Sequence, residues 1–321
     1  MARTYAAIVL AVALGAGLAL ARAEYPDRAV TFVVPFAPGG STDILSRMLA
    51  EALHDRLKQP FVVENRPGAA GSIAISALLH SPADGYTLAL ATMSQAVFNA
   101  YLFAKLPYHP LHDLEPVAPL VTGAMALAAH PSFPAQTLGE FATLAKAQPE
   151  KVLVAIPQLG SPPHIVGLLL DRALGVEVTM VPHTSGADAV NAVVSGQIPL
   201  LFDAPTIISN QVRAGKLKAL VVTGRQREPV LPETPTALEG GFDVQGEAWI
   251  GLVAPRGTPP AVVQRLNREV SSVMERSDIR QAMAGLSFRT LASTPEAFRA
   301  LIEADHVKWS AVIREAGLRL E

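Results

Sequence analysis

The most informative segment of this sequence runs from Val33 to Asp43 and reads VVPFAPGGSTD. The β-branched run that leads into it, at 30–34, predicts a buried strand. Ser41 or Thr42 can cap the next segment, in which apolar residues recur at helical spacing. The segment therefore predicts a strand, a tight loop and the start of a helix.

The loop of this unit has the features of an anion site. Gly39 and Gly40 allow the backbone to approach a ligand, and the free N–H groups and dipole of a helix start favour an anion such as a carboxylate. Phe36 would supply an apolar wall, and we expect Asp43 to bond the loop backbone rather than the anion. An ordinary glycine turn is the alternative interpretation.

Further apolar runs predict strands at 61–64, 86–91, 125–129, 152–156, 176–181, 200–202, 217–222 and 249–254, with helices between many of them. This order is typical of an α/β fold with a parallel sheet and helices on both faces. Two helices are predicted to end the chain, one after Pro259-Pro260 and one at Thr294-Pro295.

No low-complexity linker separates the early strands from the later ones, so we expect two lobes joined by crossing strands near 120–128 and 248–254. Lobe 1 would comprise residues 24–122 and 251–321. Lobe 2, residues 123–250, would be inserted into it, with a ligand cleft between the lobes.

The first 23 residues predict a cleaved signal peptide. Arg3 precedes an uncharged run from Ala6 to Leu20, and Ala21-Arg22-Ala23 forms a small-x-small cleavage site. A membrane anchor is the alternative, but about 20 apolar residues are needed to span a bilayer and this run is shorter. We expect an exported protein in a bacterial periplasm.

The composition excludes several function classes. The 321 residues carry 26 basic and 28 acidic side chains, and this balance, without a cluster of Lys and Arg, argues against a nucleic-acid partner. The absence of cysteine excludes a disulfide scaffold, a cysteine-ligated metal and a thiol nucleophile. The G-x-S-x-G, S-x-x-K and P-loop motifs are absent and no G-x-G-x-x-G follows a strand, which removes the common hydrolase and nucleotide-binding interpretations but does not exclude an enzyme.

His109-x-x-His112-Asp113 contains the residue types of a metal site. The surrounding sequence, LPYHPLHD, is typical of a loop, and polar residues in a turn are the interpretation that we favour. No metal is predicted.

A second loop of the first kind spans Gln158 to His164 and reads QLGSPPH. It links the strand at 152–156 to a helix in the second lobe. Two helix starts that favour anions and face each other across a cleft would suit a ligand with a carboxylate.

A resemblance to a known family is carried by the segment from Val33 to Asp43, together with VENRPGAAG at 63–71, DGYTL at 84–88, LPETPT at 231–236 and GLVAP at 251–255. These segments resemble the Bug family, the periplasmic solute-binding proteins of tripartite tricarboxylate transporters. The similarity runs in order from about Tyr25 to Glu321.

The resemblance implies a two-lobed type II periplasmic binding protein, or Venus flytrap, in which each lobe is a mixed, mostly parallel sheet flanked by helices. It implies no catalysis and no cofactor. The implied ligand is a small organic acid: a mono-, di- or tricarboxylate, an aromatic acid or an amino acid. The implied partners are the membrane subunits of a tripartite tricarboxylate transporter, and a monomer is the expected form.

The loops and the resemblance together give one set of predicted ligand-binding residues. They are Phe36, Ala37, Pro38, Gly39, Gly40, Ser41, Thr42, Asp43, Thr92, Ser94, Gln158, Gly160, Ser161, His164, His183, Thr184 and Asp203.

The sequence departs from the family pattern on the ligand side. Serines and a glycine are common where IPQ stands at 156–158, and a Tyr and a Lys are replaced by His183 and Thr184. Ala204 stands where Asn is common. His183 would either contact a carboxylate in a pH-dependent way or only fill space. These departures leave the ligand open.

Two other functions are compatible with the sequence. A binding protein of this kind can pass its closed form to a two-component sensor kinase instead of a transporter. A periplasmic hydrolase or isomerase on the same fold is a remote alternative, because no nucleophile with a partner and no paired acid and base stand out.

Overall fold

The computed structural model describes residues 25–148 and 152–320, and the predicted signal peptide lies outside the described residues. The first of two sheets consists of six strands: β1 (Val30–Val34), β2 (Phe61–Asn65), β3 (Thr87–Thr92), β4 (Leu114–Ala124), β10 (Glu247–Pro255) and β11 (Arg289–Thr290). Their order across the sheet is β11-β4-β10-β3-β1-β2. The strand predicted from the β-branched run at 30–34 is therefore confirmed, and it lies inside the sheet.

The second sheet has five strands: β5 (Ala126–Ala129), β6 (Leu153–Ile156), β7 (Thr179–Pro182), β8 (Leu200–Asp203) and β9 (Lys218–Val222). Their order is β7-β6-β8-β5-β9. All four residues of β5 and of β8 are buried, which explains why both read as short apolar runs.

Helices flank the two sheets. They are α1 (Ser41–Leu57), α2 (Ser72–Leu79), α3 (Asn99–Leu102), α4 (Pro110–Asp113), α5 (Leu138–Ala147), α6 (Pro162–Leu174), α7 (Gly186–Val194), α8 (Pro205–Arg213), α9 (Pro260–Met274), α10 (Ser277–Gly285) and α11 (Pro295–Glu315). A short π-helical segment, Ser94–Phe98, follows β3. Among the described residues, no helix combines the length and the apolar character that crossing a bilayer requires.

Both sheets are mixed, as predicted, but parallel pairs do not dominate. In the first sheet, β1 is parallel to β2 and β3, whereas β10 is antiparallel to β3 and β4. In the second sheet, β6 is parallel to β7 and β8, whereas β5 is antiparallel to β8 and β9. The antiparallel pair of β4 and β10 arises because these neighbouring strands carry the chain out of the first sheet and back into it.

The two crossings between the sheets lie side by side. Thr223 links them, since its hydroxyl donates to the carbonyl oxygen of Gly246 at 2.5 Å and its N–H donates to the carbonyl oxygen of Met125 at 2.9 Å. The first sheet continues to Ala124 and resumes at Glu247, so the predicted lobe boundaries at 122 and 251 fall inside β4 and β10. The crossings are tied by a buried hydroxyl rather than by a flexible linker.

Several elements were missing from the sequence prediction, among them α3, β11 and α4, whose segment was predicted to be a loop. Three helices, rather than two, end the chain, because α10 stands between the two that were expected. The helix α8 was also missed, although Pro205 stands at its first position. The long strand β4 was predicted only at its end, as part of the crossing strand near 120–128, and its first part was missed because Pro116 and Pro119 lie inside it.

The two tryptophans of the chain are held by one carboxylate. The indole N–H of Trp249 donates to Asp305 at 2.7 Å, and that of Trp309 donates to the other oxygen of Asp305 at 3.0 Å. Trp249 also meets the ring of Phe298 edge to face at a centroid distance of 5.1 Å. This cluster joins the crossing strand β10 to the last helix, α11.

Candidate functional site

A cleft of about 380 Å³ opens between the two sheets, where β1, β6 and β8 end. The loops that follow these strands line it, together with the crossing strands and the residues just before β11. Ligands of open α/β sheets bind outside the carboxyl ends of the strands, so this cleft is the candidate binding site.

The first loop has free backbone donors where it lines the cleft. Gly39 has a φ of 90°, and Gly40, in an extended conformation, is the N-cap of α1 without a side-chain cap. Within the described residues, the backbone N–H groups of Gly40, Ser41 and Thr42 donate to no acceptor. They begin a helix of 17 residues, so a negative charge is favoured beside them.

Asp43 stabilises this loop through hydrogen bonds and does not line the cleft. Its carboxylate accepts hydrogen bonds from the N–H of Gly39 and from Nδ2 of Asn65, both at 2.9 Å. Arg47 binds the same carboxylate at 2.9 Å, and this hydrogen bond is the main reason that the pKa of Asp43 is lowered to about 2. Asn65 also donates to the carbonyl oxygen of Phe36 at 3.0 Å. The carboxylate therefore fixes the shape of the loop that carries the free donors.

The second loop enters the cleft from the other sheet. Ser161 is the N-cap of α6, and its hydroxyl donates to the carbonyl oxygen of Gln158 at 2.7 Å. The N–H of Gly160 donates to Nδ1 of His164 at 3.0 Å, which assigns the ring proton to Nε2. Burial lowers the pKa of His164 to about 4, so the imidazole is neutral. His164 thus holds the loop and adds no charge to it.

A buried carboxyl lies at the end of β8. Oδ1 of Asp203 accepts a hydrogen bond from the N–H of Ala204 at 2.7 Å, whereas Oδ2 has no partner among the described residues. Burial raises the pKa of Asp203 to about 7. A Cβ on Gly186 would stand 2.7 Å from Oδ2, so the first residue of α7 is held close to this carboxyl.

Eight of the predicted site residues line the cleft: Phe36, Gly40, Ser41, Thr42, Thr92, Gln158, Ser161 and Asp203. The structure brings them together from four different strand ends of the two sheets. The proposal that these residues contact a ligand rests on this placement.

The other predicted residues lie beside the cleft rather than on its wall: Ala37, Pro38, Gly39, Asp43, Ser94, Gly160, His164, His183 and Thr184. Ring Nδ1 of His183 donates to the carbonyl oxygen of Val181 at 3.0 Å, and the Thr184 hydroxyl binds the carboxylate of Asp188. The partner of His183 therefore lies in β7, and the partner of Thr184 lies in the first turn of α7.

The apolar part of the cleft was not predicted. Trp249 on β10, Phe288 before β11, Met125 at the crossing and Ile207 on α8 all line it. The apolar run at 249–254 was the available signal for Trp249, but it predicted only a strand. The cleft thus combines free backbone donors at helix starts with a wall of large apolar side chains.

Asp113 of the His109-x-x-His112-Asp113 segment is the last residue of α4 and accepts a hydrogen bond from the N–H of His109 at 2.6 Å. In residues 25–148 and 152–320, no three His, Asp or Glu side chains come together as a metal-binding group.

The comparisons with a family model and with individual proteins agree. The model of the tripartite tricarboxylate transporter family receptor matches residues 45–318. Protein BugT of Bordetella pertussis is 32% identical over 299 residues, which are 92% of each chain.

Two solved structures from Rhodopseudomonas palustris are similar along nearly the whole chain. The protein Rpa4515, solved with adipate, has a TM-score of 0.83 and 30% identity over 92% of this chain and 100% of its own. MatC, solved with bound malate, has a TM-score of 0.78 and 36% identity over 90% of this chain and 100% of its own.

Proposed function

Since this chain belongs to the tripartite tricarboxylate transporter receptor family, we propose that it is a periplasmic solute receptor that binds a small organic acid. The observation that carries the proposal is the set of free backbone N–H groups at Gly40, Ser41 and Thr42, which begin a long helix and line the cleft. A carboxylate satisfies these donors and is favoured by the helix dipole.

The side chains that line the cleft restrict the class of ligand that it can bind. Phe36, Trp249 and Phe288 offer apolar surface next to the donors, and the cleft volume of about 380 Å³ suits a small molecule. A carboxylic acid with a short aliphatic or aromatic body fits both features. The similar structures with adipate and malate support this class of ligand.

The receptor is proposed to act without catalysis. Two buried titratable groups near the cleft, the carboxyl of Asp203 and the imidazole of His164, belong to different loops, and each has a hydrogen bond to the backbone. The family description supports delivery of the ligand to the membrane subunits of a tripartite transporter. The location in the periplasm rests on the signal-like first 23 residues and on the family.

The test is a thermal-shift and calorimetric screen of the purified protein against adipate, malate and other mono-, di- and tricarboxylates, with the matched amides as controls. A ligand present at about 100 times its dissociation constant stabilises the native state by roughly 2.7 kcal/mol, which moves the melting curve by several degrees. We expect a shift with an acid and none with its amide. Equal shifts with both, or turnover of the acid, would contradict the proposal.

A further inference from the structure

A second cavity, of about 550 Å³, shares no lining residue with the cleft. It lies between α6, the segment from Val176 to Met180 and the end of α11. The helix α6 packs on β8 of the second sheet and α11 packs on β4 of the first, so the cavity stands between helices that cover different sheets. The two are linked through His164, which lines this cavity and holds the second loop of the cleft.

Asp171 faces this cavity with a carboxyl that has no partner. The residue lines the cavity and only 8% of its surface is exposed, yet within the described residues it makes no side-chain hydrogen bond or ion pair. It stands in the last turn of α6, where the helix dipole disfavours a negative charge. The ionised form of Asp171 therefore lacks a compensating positive charge beside it.

The surrounding side chains do not supply that charge. Arg172 is paired with Glu315 at 3.1 Å, and Glu177 adds a third carboxyl to the cavity wall. His164, two turns before Asp171 on the same helix, is neutral because its Nδ1 accepts the N–H of Gly160. The cavity thus has three carboxyls and one guanidinium that is already paired.

The rest of the cavity is apolar. Leu168, Val178, Met180, Val312 and Leu318 line it. This surface suits an aliphatic body and does not suit a hydrated metal ion, which prefers several oxygen ligands at once.

We propose that this cavity is a binding site for a small organic cation, in which an ammonium group pairs with the carboxylate of Asp171 and an aliphatic body contacts the apolar wall. Burial raises the pKa of Asp171 to about 8, so the empty site is largely protonated at neutral pH. Binding of the ammonium ion then displaces the Asp171 proton to solvent. The other ionisable groups that line the cavity are His164, Arg172, Glu177 and Glu315.

The test uses n-butylammonium and cyclohexylammonium as probes, with n-butanol and n-butyrate as the uncharged and oppositely charged controls. Binding to the purified protein is followed by saturation-transfer NMR and by calorimetry in two buffers of different ionisation enthalpy at pH 7. We expect the ammonium probes to bind with release of a proton and the two controls not to bind.

The matched variants locate the site. Asp171→Asn removes the charge inside the cavity, and Glu303→Gln removes one charge from an exposed position of α11 outside it. We expect Asp171→Asn to weaken the ammonium probes about tenfold or more and Glu303→Gln to leave them unchanged. The proposal is overturned if neither ammonium probe binds, if n-butanol binds equally well, or if a folded Asp171→Asn variant retains the affinity.

Discussion

The hydroxyl of Ser94 donates a hydrogen bond of 3.3 Å to the carbonyl oxygen of Gly160. Ser94 follows β3 of the first sheet, whereas Gly160 follows β6 of the second, so this bond joins the two sheets beside the cleft. Gly160 is also held through its N–H by His164. The second loop is thus fixed from both sides, and its position depends on a residue of the opposite sheet.

Replacing Gly160 should destabilise the protein for two separable reasons. Its φ of 72° is left-handed, and a Cβ there would meet Cδ1 of Leu102 at 2.8 Å and Cδ1 of Leu320 at 3.0 Å. Gly175, with a φ of 61° and no neighbour closer than 3.9 Å, is the matched control for the backbone strain alone. We expect each Ala variant to lose about 1–2 kcal/mol from backbone strain, and Gly160→Ala to lose about 1–3 kcal/mol more, measured by urea unfolding. Equal losses of unfolding free energy in the two variants would show that the loop shifts to accommodate the added methyl group.

Gly40→Pro tests the backbone donors of the first loop. The φ of −78° at Gly40 suits proline, and the substitution removes one N–H that lines the cleft. We expect a folded variant whose affinity for the carboxylate ligand falls about tenfold or more. Gly40→Ala keeps the N–H and meets only the Ala37 carbonyl oxygen at 3.9 Å, so it should retain the affinity. If Gly40→Pro binds the ligand with unchanged affinity, this N–H does not contribute to ligand binding.

Asp43→Asn should weaken the support of the same loop. The pKa of Asp43 is lowered to about 2 from 3.8, so its contribution to stability is full above pH 4 and is lost as the pH falls through 2. We expect the variant to lose about 1–3 kcal/mol of unfolding free energy at neutral pH and less near pH 2. The control is Asp55→Asn, at an exposed position of the same helix. A loss that does not depend on pH would contradict a role for the ionised carboxylate.

Asp203 should have the opposite pH dependence. Its pKa is raised to about 7 from 3.8, so the native state gains stability from the protonated carboxyl below pH 4 and loses it as the pH rises through 7. The unfolding free energy of the native sequence should fall across this window by up to about 1.4 kcal/mol for each pH unit, relative to Asp203→Asn. Chemical denaturation of both proteins from pH 4 to pH 8 measures this difference. If their unfolding free energies change with pH in parallel, Asp203 does not titrate with a raised pKa.

Local patterns were sufficient to predict much of the fold. The strand β1 and the helix α1 were found because their β-branched run and helical spacing are properties of a few adjacent residues. The first part of β4, before the crossing strand predicted near 120–128, was not found, because its prolines remove backbone donors. The structure accommodates them where the register of β4 against β10 shifts, with Pro119 opposite Gly251 and Pro116 opposite Val253.

The candidate site was predicted on its polar side and missed on its apolar side. Gly40 and Ser161 belong to strand-to-helix loops, which local sequence identifies. Trp249 and Phe288 come from distant segments, and they reach the cleft only because β10 and β11 both pair with β4. No local pattern contains that pairing.

The tryptophan pair gives the molecule an optical signal of its own. The chain has two tryptophans, both buried, and Trp249 lines the cleft whereas Trp309 does not. Indole emission responds to the polarity around the ring, so a ligand seated against Trp249 changes the fluorescence of the unlabelled protein over a constant background from Trp309. Asp305 still accepts the indole N–H of Trp249 when Trp309 is replaced, so we expect Trp309→Phe to keep Trp249 in place. The variant then has one tryptophan, whose emission reports ligand binding in the cleft.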